Sequence, residues 1–314
     1  MTTVVADAAL PTLARALDPT EVERLLGGRI QVRSARLVRH KPGRRCLIEY
    51  DLETAERRLI ALGKIRANRP NRSGFRLLTA FWRAGFDDGS ADGISVPEPL
   101  ALLPELQMWL QRKVPGKPAS ELLSGPRRRA VAHRVAEAAA KLHRAGVPGP
   151  RTHDMADELR ILRECLGSMA HGAPLLPLAS TLAEQTPAPR RLCGIHRDFY
   201  GDQVIVDGDR ITIVDLDLYC IGDPALDVGN FVGHVTEQSL RTLGDPNALG
   251  DVEAALEQRF AQLEGEDVRA RVAAYAALTL ARHVYLSTLH PERRPFTEAL
   301  ADLARERLTR PVAA

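Results

Sequence analysis

The sequence predicts a mixed α+β protein, with an antiparallel β-sheet in its N-terminal part and a mainly helical C-terminal part. Three observations predict it. Between residues 30 and 66 apolar side chains recur at every second position, in runs separated by turn residues. From residue 127 onward they recur at helical spacing instead. Within the helical part, two short alternating runs at 204–206 and 211–214 flank Asp207-Gly208-Asp209, a strong hairpin signal.

Taken in order, residues 8–27 read as a helix that Pro11 opens and Gly27-Gly28 ends. Ile30, Val32, Ala35, Leu37 and Val38 mark a first strand, His40-Lys41-Pro42-Gly43-Arg44 a turn, and 46–52 a second strand. After a turn at 54–57, residues 58–66 (RRLIALGKIR from 57) form a third strand, and 73–84 a helix. Strands at 96–103 and 106–111 turn at Pro104-Glu105, and residues 112–116 are a linker. A helix runs from 127 to 146 with Ala130, Val131, Val135, Ala138, Ala139 and Leu142 on its apolar face. Residues 156–187 hold two helices split at His171-Gly172-Ala173-Pro174, and helices at 224–241, 248–264, 267–288 and 294–309 follow the hairpin.

With 314 residues, 45% hydrophobic and 26% charged, the chain has a globular composition and a length that suits two domains. Four cysteines (Cys46, Cys165, Cys193, Cys220) form no CxxC pair, which fits reduced thiols in the cytoplasm rather than a disulfide framework or zinc site. The N-terminus lacks a basic n-region and a long apolar core, so no signal peptide is expected. No apolar run approaches the ~20 residues that span a bilayer, so no membrane partner is expected. Net charge is +3 but uneven: residues 29–76 hold 14 Lys/Arg against 4 Asp/Glu. A basic segment beside an acidic remainder suits a cleft that takes polyphosphate on one wall and metal on the other. A nucleic-acid partner is disfavoured, because only Tyr50 and Phe75 supply aromatics there and no binding motif is present.

The chemistry concentrates in residues 194–231, GIHRDFYGDQVIVDGDRITIVDLDLYCIGDPALDVGNF. Asp198 lies in a polar loop, Gln203 follows five positions later, and Asp215 ends the second alternating run. A hairpin returns the end of its second strand beside the start of its first, which places Asp215 near Gln203. One carboxylate can accept a proton from an attacking hydroxyl, and a carboxylate with an amide oxygen can hold a hard cation such as Mg²⁺. The plainer readings are a turn role for Asp198, a solvated strand start for Gln203, and helix capping for Asp223 with Pro224 at the first helical position. Capping is the reading adopted for Asp223.

This array resembles the catalytic core of the aminoglycoside phosphotransferase and choline kinase-like small-molecule kinases, relatives of the protein kinases. Their pattern is HxDxxxxN, an aspartate after a strand, then GDPxxD. His196, Asp198, Asp215, Gly222, Asp223, Pro224 and Asp227 match it, and Gln203 stands where asparagine is usual. The resemblance implies a bilobal protein kinase-like fold. Its nucleotide-binding lobe would be 1–111, its hinge 112–116, and its helical lobe 117–314 with catalytic loop 194–203 and metal-binding segment 213–217. It implies ATP and Mg²⁺ as cofactors, with the γ-phosphoryl group passing to a hydroxyl of a small molecule. Asp198 would be the base, Gln203 and Asp215 the metal ligands, and Asp217 either a supplementary ligand or a solvent-facing acid. Lys64 would pair with the α/β-phosphates. Gln111, Lys113 and Val114 would meet the adenine through hinge backbone. Asp227 and His196 would brace the catalytic loop, and His143 in KLHRAGV would pack or cap.

Three departures accompany the match. No GxGxxG is present; HKPGRR offers the cations Arg39, Lys41, Arg44 and Arg45 instead. The helix at 73–84 has no Glu to pair with Lys64, and no activation segment follows Asp215. The last point argues against a general protein kinase. Two alternatives remain: a Ser/Thr kinase acting on a biosynthetic peptide, and a nucleotide-binding pseudokinase or scaffold. Asp154, Glu158, Tyr275, His283 and Tyr285 are acceptor-site candidates. No acidic cluster of the kind an aminoglycoside wants stands out, and 4% aromatic content argues against a choline-type cage.

Overall fold

The computed structural model describes residues 7–67 and 72–310. The chain divides into two compact units, Met1–Pro115 and Gly116–Ala314. The architecture is mixed α+β, an antiparallel sheet in the first unit and a mainly helical second unit.

The first unit opens with two short helices, α1 (Leu13–Ala16) and α2 (Pro19–Leu25), not the single helix expected over 8–27. The break falls at Asp18, whose extended backbone (ψ 109°) is what a residue before proline prefers, and whose carboxylate caps α2 through the Thr20 N–H. The unit continues as β1 (Gln31–Lys41), β2 (Arg45–Glu53), β3 (Arg58–Arg66), α3 (Arg72–Arg83), β4 (Ile94–Ser95), β5 (Pro99–Leu103) and β6 (Met108–Arg112). Its five-stranded sheet runs β1-β2-β3-β6-β5 with every neighbour antiparallel. The strand expected from residue 106 starts at Met108, because Pro104–Leu106 form a 3-10 turn and Gln107 is left-handed (φ 50°).

The parity of β1 shifts from Val32 to Ala35 and Leu37, leaving Val38 46% exposed. Register irregularities between Val32 and Ser34, and between Leu37 and Arg39, account for it: each slip moves the next side chain to the other face. In β2 the pattern is regular, and Cys46, Ile48, Tyr50 and Leu52 are all buried in one core. The Tyr50 hydroxyl donates to the Ala16 carbonyl (2.6 Å), tying α1 to the sheet. On the other face Arg33 pairs with Glu53, Arg58 with Asp51, and Arg36 with Glu49 (2.6 Å), so acids of β2 balance much of the local positive charge.

The second unit comprises β7 (Lys117–Pro118), α4 (Ala119–Leu122), α5 (Arg128–Arg144), α6 (Met155–Leu166), α7 (Leu175–Gln185), β8 (Cys193–Ile195), β9 (Val204–Asp207), β10 (Arg210–Ile213), β11 (Cys220–Gly222), α8 (Pro224–Leu243), α9 (Gly250–Glu264), α10 (Val268–Thr288) and α11 (Thr297–Thr309). The β9–β10 hairpin forms as expected around a turn with Gly208 at φ 61°. Two strand pairings are not legible in the sequence. β7, within the stretch expected to follow the linker without a strand, pairs with β9, and β8 pairs with β11. Runs of two or three residues are too short for alternation to be read.

Helices α8 and α10 pack closely along much of their length. Gly229 lets them approach: a Cβ there would lie 2.5 Å from the Tyr275 Cβ. Among the described residues no helix is long and apolar enough to cross a membrane.

Gly63 of β3 offers a direct test of the sheet core. A Cβ there would sit 2.6 Å from Met108 Sδ and 2.7 Å from the Tyr50 ring. Gly63→Ala is expected to lower stability by about 1–3 kcal/mol through overpacking. Chemical denaturation measures it, and an unchanged midpoint would contradict this packing.

Candidate active site

The site is built around one buried carboxylate. Asp223 caps α8 by accepting the Ala225 N–H (2.9 Å), with Pro224 at the first helical position. The first turn of α8 then presents Asp227, which is fully buried. Its Oδ2 accepts the His196 N–H (2.8 Å) and its Oδ1 the Arg197 N–H (2.7 Å). The His143 Nε2, from α5, meets the same Oδ2 at 2.8 Å. Thus His143 is a buried partner of Asp227. Arg197 is left-handed (φ 69°), a conformation that costs a non-glycine residue and that the two N–H bonds hold in place.

Two further bonds hold the loop. The His196 ring donates from Nε2 to the Val214 carbonyl (2.9 Å), linking the loop to the end of β10. Asn230, one turn along α8 from Asp227, donates its Nδ2 to the Phe199 carbonyl (3.0 Å). Asp198 lies between these fixed points with its side chain half-buried.

The hairpin supplies the other polar groups. Ile213 pairs with Val204, the Val214 N–H donates to the Gln203 carbonyl (2.9 Å), and the Gln203 N–H donates to the Tyr200 carbonyl (2.9 Å). Asp215 follows directly, in the left-handed conformation (φ 61°). Gln203 is 9% exposed, not a solvated strand start, and its Nε2 donates to the Tyr200 hydroxyl (3.2 Å). Burial, reinforced by the charges of Asp198, Asp202 and Asp215, pushes the Tyr200 phenol up to about 12.

β10 ends at Ile213, and Asp217 lies in the 3-10 turn Leu216–Leu218. The left-handed Asp215 breaks the strand alternation before that turn. Among the described residues no group of three or more His, Cys, Asp or Glu converges as a metal site.

Sequence reasoning misses Asn230, Tyr200 and His234. Positions 227, 230 and 234 share a helical face, which is the signal that could have found two of them. The His234 ring stacks on Tyr200 (4.5 Å, 15°) and meets His283 of α10 edge-on (4.4 Å). Among the acceptor candidates, Asp154 caps α6, Glu158 takes the His153 Nε2 (2.6 Å), and Tyr275 is buried in helix packing. His283 is buried as well, and Tyr285 is half-buried. Arg282 lies 3.7 Å from Glu158 and donates to the Asn230 Oδ1 (2.7 Å).

The remaining sequence-predicted residues belong to the first unit. Lys64, in β3, has its Nζ 5.3 Å from the Trp109 ring centre. Gln111 is buried in β6. Lys113 pairs with Glu49 (2.6 Å) and its N–H donates to the Ile60 carbonyl (2.8 Å), so that N–H is already used by the sheet. Val114 is half-buried. No acid occurs in α3. At the turn after β1, the Gly43 N–H donates to the Asp7 carboxylate (2.9 Å), which also meets His40 (2.8 Å). A separate cavity of about 650 Å³ among α7–α11 contains none of the predicted site residues in its lining.

His283 gives a pH test of the α8–α10 packing. Burial, followed by the Arg282, Arg293 and Arg241 charges, pulls it down to about 3. An unfolded histidine titrates near pH ~6.5, so the unfolded chain binds more protons across the interval below that. The stability held by neutral His283 is complete above pH ~6.5 and is lost as pH falls towards its folded value, by at most about 1.4 kcal/mol per pH unit. In urea denaturation, His283→Gln is expected to show a shallower loss between neutral and acid pH. Parallel curves would contradict the burial.

The profile of the phosphotransferase enzyme family (APH) matches residues 75–275. A comparison with curated proteins yields no match. A choline/ethanolamine kinase family protein from Mesorhizobium loti aligns over 97% of this chain and 92% of its own, at 18% identity and TM-score 0.63. Amicoumacin kinase hAmiN, solved with AMP-PNP and Ca²⁺, aligns over 88% and 90% at 9% identity and TM-score 0.62. Choline kinase LicA from Streptococcus pneumoniae aligns over 92% and 98% at 10% identity and TM-score 0.59. At these identities the likeness establishes the fold. With the family profile covering well over half its length, the chain belongs to the phosphotransferase enzyme family.

Proposed function

We propose that the protein transfers the γ-phosphoryl group of ATP to a hydroxyl of a small molecule. The observation that carries this reading is the clamped loop: Asp227 and His196 fix the backbone just before Asp198 and Asn230 fixes it just after, next to a hairpin that delivers Gln203 and Asp215. Asp198 orients the acceptor hydroxyl and takes its proton as the oxygen attacks the γ-phosphorus. The bond from that phosphorus to the β–γ bridging oxygen breaks, and ADP leaves.

The donor set suits Mg²⁺. Asp215 offers carboxylate oxygen and Gln203 an amide oxygen, and Mg²⁺ binds through one or two protein carboxylates plus water and substrate phosphates rather than a full protein cage. The ion, when bound, offsets charge on the phosphate oxygens. Asp217 is a second-rank candidate, since the turn and not a strand sets its direction. Lys64 is assigned to the α/β-phosphates, with Trp109 beside it. Within the proposed 112–116 hinge, Val114 is the better adenine contact than the Lys113 N–H, which Ile60 occupies. The free cysteines suit a cytoplasmic setting.

Asp198→Ala tests the reading. Transfer, followed as ADP release across a panel of hydroxylated metabolites, is expected to fall by about 10²–10⁴-fold while nucleotide affinity stays unchanged. Full activity in the variant would contradict the base assignment. Nucleotide binding by the wild type with no transfer to any hydroxyl, on metabolite or peptide, would favour the scaffold.

A further inference from the structure

Gln203 is where this chain departs from its family's motif, and its surroundings bear on that departure. Its backbone is pinned twice, by its own N–H to the Tyr200 carbonyl and by the Val214 N–H to its carbonyl, both 2.9 Å. Only the side chain remains free to move. A glutamine arm has one more rotatable bond than asparagine, so more freedom must be lost before its oxygen can hold a cation. Tyr200 removes that freedom: its hydroxyl accepts the Gln203 Nε2 at 3.2 Å. An amide can offer a cation only its oxygen. Tying the nitrogen to the tyrosine selects the orientation in which the oxygen is the end left to the metal.

The tyrosine is itself held. Its ring lies nearly parallel to that of His234 (4.5 Å, 15°), and His234 meets His283 at 84° and 4.4 Å. His283 is 1% exposed within α10. A chain of ring contacts thus runs from α10 through α8 to the turn that carries Gln203.

We infer that Tyr200, seated on His234, is a positioning residue that makes Gln203 competent as a metal ligand in place of asparagine. The inference rests on the reading of Gln203 as a ligand. It implies a coupling specific to glutamine. The shorter asparagine arm leaves its nitrogen further from Tyr200 and needs no such anchor.

The test is Mn²⁺ binding to the intact protein with AMP-PNP, read from the free-Mn²⁺ electron paramagnetic resonance signal, which does not depend on turnover. Tyr200→Phe keeps the ring on His234 and deletes only the acceptor oxygen. In the wild-type background it is expected to weaken Mn²⁺ about 3–10-fold, the scale of one hydrogen bond. In the Gln203→Asn background it is expected to change nothing, a non-additivity that a general structural role would not give. Equal losses in both backgrounds, or no loss in the wild type, overturns the inference. Gln203→Ala separates the two levels. If it weakens Mn²⁺ while Tyr200→Phe does not, the positioning role alone falls; if it leaves Mn²⁺ affinity unchanged, the ligand reading falls and the inference with it. His234→Leu, which removes the stack and keeps the hydroxyl, is expected to lower affinity in the same direction, and an unchanged value would also count against the device.

Discussion

A single carboxylate, that of Asp227, organises the candidate site. It is fully buried, and both oxygens are taken by backbone N–H groups of the two residues that precede Asp198. A charge can be kept in such a place only if it is hydrogen-bonded throughout, and the third bond, from His143, completes the set. The cost of burying the acid and the geometry of the loop are therefore the same fact. Release either N–H and the carboxylate is left short of a partner in a dry site.

This constraint explains the strained backbone nearby. Arg197 and Asp215 both sit at positive φ, each costing of order 1–3 kcal/mol for a side chain with a Cβ. Arg197 is held by the Asp227 bond itself. Asp215 follows Val214, whose carbonyl takes the His196 ring and whose N–H is tied to Gln203. The same small network that orients the loop thus sets where the hairpin releases its last acid. Close contact of α8 with α10 through Gly229 fixes the platform from which Asp227, Asn230 and His234 project.

The sequence carries the fold where one signal dominates. The three strands at 31–66 alternate cleanly and are legible apart from the two register slips in β1, which invert parity without any residue that announces them. The hairpin is legible from Gly208 and its flanking runs. What stays hidden is local competition and tertiary contact. Pro19 splits a helix whose apolar spacing looks continuous, and the pairing of β7 with β9 depends on residues nearly ninety apart in the chain. At the site, Asp198, Gln203 and Asp215 are visible as residue types in order. The bracing by His196 and Asp227 is legible only through resemblance. The ring contacts of Tyr200 are not visible at all, because an aromatic next to a loop acid looks the same whether it packs on a histidine or on water.

The relation between Asp227 and the loop is open to direct measurement. Hydrogen exchange of peptides spanning 194–203 in Asp227→Asn, against wild type, isolates it. Asparagine can accept from one of the two N–H groups but must turn its own NH₂ towards the other. Losing one such buried bond is worth about 1–3 kcal/mol, so exchange in that segment is predicted to rise roughly 10–100-fold while peptides from the core of α10 keep their protection. Unchanged protection of 194–203 in the variant would contradict the claim that this carboxylate holds the loop that carries Asp198.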